Sequence, residues 1–146
     1  MPLGCRWGAV LAFGVRVALA AALPPTVTNF MMNDNQCGDV GMVAVVEALV
    51  NRCTELRSLD FNDNRVGAAG FAVLAEAPPR WPKLKRLIVY SNPGPADALA
   101  LALIKALEVD NTFREVRCGD IGLSEAVHQQ LRAAFEASGN DNLSCD

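Results

Sequence analysis

One pattern recurs four times along this 146-residue chain, and it constrains the fold more than any single motif does. Val27, Phe30, Met32 and Asn35 match Leu56, Leu59, Phe61 and Asn64, and these match Leu84, Leu87, Val89 and Asn92. A fourth set, Phe113, Val116 and Cys118, carries Ile121 where the asparagine is expected. The first members stand at 27, 56, 84 and 113, so the period alternates between 29 and 28 residues. A fixed period of this length marks a chain wound as successive supersecondary units, each resting on its neighbours.

Inside a unit the hydrophobic rhythm changes once. In "LRSLDFNDNRVGAAGFAVL" (residues 56–74) alternate residues around Leu59 point to one side, as in a strand, whereas Phe71, Leu74 and Ala75 follow a helical spacing. Asn64 marks the change for a backbone reason. Where a strand turns toward a helix, inward N–H and C=O groups cannot all pair in a ladder, and each one buried unpaired costs about 1–3 kcal/mol. A carboxamide both donates and accepts, so one buried Asn per unit (Asn35, Asn64, Asn92) can satisfy them and tie one unit to the next. Gly38 with Gly41, and Gly67 with Gly70, follow their asparagines by three and six residues and relieve crowding at the helix entrance. Helical stripes follow: Met42, Val45, Val46, Leu49; then Leu99, Leu103, Leu107; then Val127, Leu131, Ala134, Phe135.

The predicted fold is therefore α/β, with about four parallel strands backed by helices. Its units span 26–54, 55–82, 83–111 and 112–137, with an apolar N-terminal helix or targeting segment at 1–25 and a tail at 138–146. The units "LRSLDFNDNRVGAAGFAVLAEA" and, more loosely, "VTNFMMNDNQCGDVGMVAVVEAL" resemble the ribonuclease-inhibitor-like class of leucine-rich repeats, L-x-x-L-x-L-x-x-N followed by G-x-x-G and a full helix. The resemblance implies a short right-handed horseshoe arc, a solenoid with strands on its concave side and helices on its convex side. It is specific for fold and weak for function, because the class includes inhibitors, sensing regions of receptors, GTPase-activating proteins and scaffolds. Two departures stand out. Pro93-Gly94-Pro95 replaces the usual glycine spacing, so the third corner is expected to be built differently. Ile121 replaces the fourth Asn, as expected if the last helix caps the array.

The resemblance also implies that residues alternating with the core positions line the concave face: Asn29, Met31 and Asn33; Ser58, Asp60 and Asn62; Arg86, Ile88 and Tyr90; Glu115 and Arg117. Interface hot spots favour aromatic residues and arginine. Partner-binding candidates are therefore Arg86, Tyr90 and Arg117, with Met31 and Ile88 as apolar anchors and Asp60 between them. The plainer reading is a solvated sheet surface, since scattered apolar side chains need no special explanation.

Chemistry is scarce. No G-x-S-x-G, Walker A or H-E-x-x-H motif occurs, so catalytic, cofactor-binding and metal sites are all expected to be absent. The single histidine, His128, is expected on the solvated face of its helix near Glu125 and Arg132. Trp81, in "PPRWPK", is expected to cover the end of the core. Cys53 and Cys118 read as small hydrophobes. The five cysteines are odd in number and include no C-x-x-C, which fits reduced thiols in a cytosol-like compartment. Sixteen acids against 13 bases, with no basic run, argue against a nucleic-acid partner.

The N-terminal segment leaves four readings open. From 7 to 23 it is apolar except for Arg16: short for a membrane span, interrupted for a secretory signal, without Ser for a mitochondrial presequence, and compatible with a buried opening helix. Cytoplasmic location is the expectation, or an organellar or secretory one if residues 1–25 are a targeting segment. The expected function is that of a non-catalytic interaction or scaffold module binding a protein through the strand face or the apolar N-terminal helix. The alternatives are a regulator of another enzyme, of inhibitor or GTPase-activating type, and a fragment of a larger sensing receptor.

Overall fold

The computed structural model describes residues 22–109 and 113–146, so most of the apolar N-terminal segment lies outside the described residues. The elements run β1 (Asn29–Met31), α1 (Gly38–Arg52), β2 (Ser58–Asp60), α2 (Ala68–Glu76), a 3-10 turn (Pro78–Arg80), β3 (Arg86–Ile88), α3 (Asp97–Val109), β4 (Glu115–Arg117), α4 (Glu125–Ser138) and β5 (Leu143–Ser144). The strands form one parallel sheet in sequence order, and each helix packs against the next. Among the described residues the result is an α/β fold of five parallel strands and four helices.

The register follows the repeat. Phe30, Leu59, Leu87, Val116 and Leu143 stand side by side across the five strands. All five are buried, with Leu59, Leu87 and Val116 fully sealed, and burying each such aliphatic side chain contributes about 1.5–3 kcal/mol. The predicted helical stripes close this core from the other side: Met42, Val45, Val46, Leu49, Leu99, Leu103, Leu131 and Phe135 are buried, with Leu107 and Val127 packed against them. Cys53 and Cys118 sit in it as small hydrophobes, and Trp81 is 1% exposed.

The tail departs from expectation. Leu143–Ser144 pairs with β4 as a fifth strand, so α4 is not the final element and residues 138–146 are not simply a tail. Leu143 and Cys145 repeat the inward alternation of Val116 and Cys118, and that burial holds so short a strand in place.

The asparagines do what the corner requires. Asn64 Nδ2 donates to the carbonyls of Met32 (2.6 Å), Phe61 (3.2 Å) and Asn62 (2.9 Å), and its Oδ1 accepts from Cys37 N–H at 3.3 Å. Asn92 Nδ2 donates to Phe61 O (3.0 Å), Val89 O (2.8 Å) and Tyr90 O (3.2 Å), while its Oδ1 accepts from Asn64 N–H (3.0 Å) and Val66 N–H (2.9 Å). Asn35 Nδ2 donates to Met32 O and Asn33 O. Each of the two later carboxamides therefore reaches back into the preceding unit. At the fourth corner the buried Ile121 offers no such group, and the backbone substitutes: Asn92 N–H donates to Asp120 O at 3.0 Å.

Left-handed residues flank these positions. Asp34 and Gln36 bracket Asn35, Asp63 and Arg65 bracket Asn64, Ser91 precedes Asn92, and Asp120 and Gly122 bracket Ile121, all with φ between 51° and 67°. Pro93 cannot follow that pattern because its ring fixes φ near −65°. The left-handed residue moves one place on, to Gly94 at φ 62°. That is the different construction expected of the third corner.

Acids in the first helical turn supply a tie that the repeat pattern does not reveal. Asp39 of α1 accepts from Gly67 N–H (2.6 Å) and Gly70 N–H (3.0 Å) at the start of α2, and Asp97 of α3 accepts from Ser124 N–H (2.8 Å) at the start of α4. Each carboxylate thus satisfies unpaired donors of the following helix and sits at its positive end. Neither α2 nor α4 has a side-chain cap of its own. Gly70 is required by the same approach, since a Cβ there would lie 2.7 Å from Val66 Cγ1 and 2.8 Å from Asp39 Oδ1.

Candidate functional site

Side chains alternating with the core row share the outer face of the sheet. In register they read Asn29, Ser58, Arg86, Glu115 in one row and Met31, Asp60, Ile88, Arg117, Ser144 in the next. The strands therefore bring five of the six sequence-predicted partner-binding residues, Met31, Asp60, Arg86, Ile88 and Arg117, to one face, and Tyr90 follows two positions beyond β3.

Their exposure is uneven. Met31 (37%) and Tyr90 (36%) are open to solvent, and the Arg117 side chain is 61% exposed. Asp60 and Ile88, expected as surface residues, are only 7% and 2% exposed. The physical reason is their place in the row. Neighbouring strands lie 4.7–4.9 Å apart, so Met31 and Ile88 flank Asp60 closely, and Asp60 and Arg117 flank Ile88. A one-dimensional alternation assigns the face but not the crowding on it.

A charge network crosses that face. Arg86 Nε donates to Glu115 Oε2 at 2.7 Å, Arg117 Nε to Glu115 Oε1 at 2.9 Å, and the Arg86 guanidinium reaches Ser58 Oγ at 3.4 Å. Glu115 is thus held between two arginines, which orients both guanidinium planes. Burial pushes the Asp60 carboxyl above its ordinary value; the Asn62 N–H and Arg86 pull it back only in part, while Asp34 and Glu115 push it further up. A raised value means that folding disfavours the charged form. That cost is present at neutral pH, shrinks as pH falls through the folded value, and is gone below the ordinary value of 3.8, where the group is protonated in both states. Asp60→Asn is therefore expected to raise the melting temperature at neutral pH, with the gain vanishing below pH 3.8. Thermal melts of both proteins across that range check it, and a variant less stable at neutral pH would contradict the assignment.

Burial pushes the Cys37 thiol up to about 12 and raises Cys53, Cys118 and Cys145 as well, the opposite of what a nucleophilic cysteine needs. His128 is placed differently from expectation. It is half-buried, its Nε2 has no hydrogen-bond partner among the described residues, and it faces Asp146 rather than open solvent. No helix among the described residues is long and apolar enough to cross a membrane. The sequence matches no family model and no curated protein.

Proposed function

We propose that the chain is a leucine-rich-repeat solenoid of the ribonuclease-inhibitor-like class and that it works as a non-catalytic module binding a protein partner on its strand face. The observation that carries this reading is the conjunction of an in-register aliphatic row with a carboxamide per turn reaching back one coil. That construction leaves the opposite face of the strands free for side chains with no part in the core. Met31 and Tyr90 offer exposed apolar area there, and the Arg86–Glu115–Arg117 network offers oriented charge beside it. Rigid aromatic and arginine anchors in this arrangement are what protein interfaces use most.

The test separates binding from folding. Tyr90→Ala combined with Arg117→Glu touches two exposed residues and is expected to leave the melting temperature within a few degrees of the parent. Binding of proteins captured by the parent chain, measured by quantitative affinity purification, is expected to fall about tenfold or more in the variant. An unchanged set of captured proteins at unchanged yield would overturn the strand face as the interface.

A further inference from the structure

The C-terminal edge carries a cluster that the strand face does not account for, and of which the repeat explains only the burial of Cys145. His128 lies in the first turn of α4, and Cys145 and Asp146 follow β5 directly. One ligand atom from each, an imidazole nitrogen, a thiol sulfur and a carboxylate oxygen, all lie within 4.8 Å of one another. The three come from two elements that meet only in the folded chain.

Three features of the cluster point to a cation. First, His128 Nε2 is buried and unpartnered among the described residues, with Asp146 Oδ1 3.7 Å away, too far for a hydrogen bond. A sealed ring nitrogen without a partner carries a desolvation cost that an ion between these atoms would remove. Second, Arg132, one helical turn after His128, forms an ion pair with Asp146 Oδ1 and keeps the carboxylate beside the histidine; Oδ2 has no hydrogen bond among the described residues. Third, a cavity of about 280 Å³ lined in part by Arg132, Cys145 and Asp146 adjoins the cluster and has room for a water as a further ligand. A Cys–His–Asp nucleophile does not fit the same atoms. The carboxylate approaches the histidine at the buried Nε2, and burial raises the Cys145 thiol rather than lowering it.

We propose that His128, Cys145 and Asp146 bind a zinc-type divalent cation that fastens β5 to α4, with water as the fourth ligand. Mixed nitrogen, sulfur and oxygen donors suit a borderline-soft, tetrahedral ion. Bonds of about 2.0–2.3 Å place tetrahedral ligands roughly 3.3–3.8 Å apart. His128 Nε2 and Asp146 Oδ1 already stand at 3.7 Å, and no separation among the three atoms exceeds 4.8 Å, so the widest closes by at most about 1 Å on binding. The Cys145 thiol releases its proton to solvent as the ion binds. The movement falls on the short edge strand, which the ion then anchors to the helix.

Cobalt(II) added to the reduced chain, with zinc(II) competing against a chromophoric chelator, tests the site. One ion per chain is expected, with a thiolate-to-cobalt absorption band that is lost in Cys145→Ser. His128→Gln, at a half-buried helix position, is expected to weaken zinc binding roughly tenfold or more, a first ligand mattering at least as much as an outer-shell partner. Bound zinc is also expected to slow alkylation of Cys145 in the parent chain, a readout that stands even if Cys145→Ser fails to fold. No bound ion in the parent, a band that survives Cys145→Ser, or unchanged zinc affinity in His128→Gln would overturn the proposal.

Discussion

Asn92→Ala is expected to lower stability by about 3–5 kcal/mol, more than the same change at Asn64, although both asparagines are sealed from solvent. The difference lies in what each leaves behind. Without Asn92, the N–H groups of Asn64 and Val66 lose the Oδ1 that both donate to, and Val89 O loses its donor. Three buried groups are stranded at about 1–3 kcal/mol each, partly relieved by relaxation. Without Asn64, Cys37 N–H loses its acceptor. The carbonyls of Met32, Phe61 and Asn62 keep second donors in Asn35 Nδ2, Asn92 Nδ2 and Asp34 N–H. Asn64→Ala is accordingly expected to cost about 2 kcal/mol. Urea unfolding of the three proteins, with unchanged slope, checks the order. Equal losses would mean that the carboxamides act as fillers rather than as links. Against a typical stability of about 5–15 kcal/mol, the Asn92 change removes a large share of the whole.

Gly94→Ala is expected to cost about 3–4 kcal/mol, and Gly139→Ala only about 1–2 kcal/mol, although the two glycines share nearly the same φ, 62° and 65°. The common part is the left-handed backbone, which costs a side-chain-bearing residue about 1–2 kcal/mol. The rest is space. A Cβ on Gly94 would sit 1.9 Å from the carbonyl oxygen of Ile121 and 2.6 Å from its carbon, both backbone atoms of the next unit, whereas a Cβ on Gly139 meets nothing within 4 Å. Only separation of the third and fourth units relieves the first contact, at an overpacking cost of about 1–3 kcal/mol. Thermal melts of the two variants side by side isolate this term, and similar losses would show that the units are not packed so closely there.

What could be read from the sequence followed the periodicity. The row Phe30, Leu59, Leu87, Val116 is legible because one residue in each unit must face the core, and an unbroken period forces those residues into register. The corner asparagines are legible because few side chains both donate and accept at a buried turn. β5 escaped because "NDNLSCD" contains too few alternating positions to show a strand rhythm before the sequence stops. Asp39 and Asp97 escaped because their partners are backbone donors 27 to 31 residues away, and any acid in a first helical turn already has an ordinary explanation in the helix dipole.

The site was legible only as a face. Alternation assigns Asp60 and Ile88 to the strand surface, but their burial depends on how closely four strands crowd their outward side chains, which no single strand reveals. The surroundings of His128 depend on α4 meeting the end of β5, an encounter between positions 17 and 18 residues apart that carries no periodic signal. Position in a repeat is a local property; exposure and neighbourhood are not.

Amide hydrogen exchange at Asn64 N–H, Val66 N–H and the Asn92 carboxamide tests most directly whether buried asparagines stitch successive units together. Protons in those links are expected to exchange only through global unfolding, with protection matching the stability measured in urea. Exchange as fast as that of the carboxamide of exposed Asn33 would contradict the linkage between units.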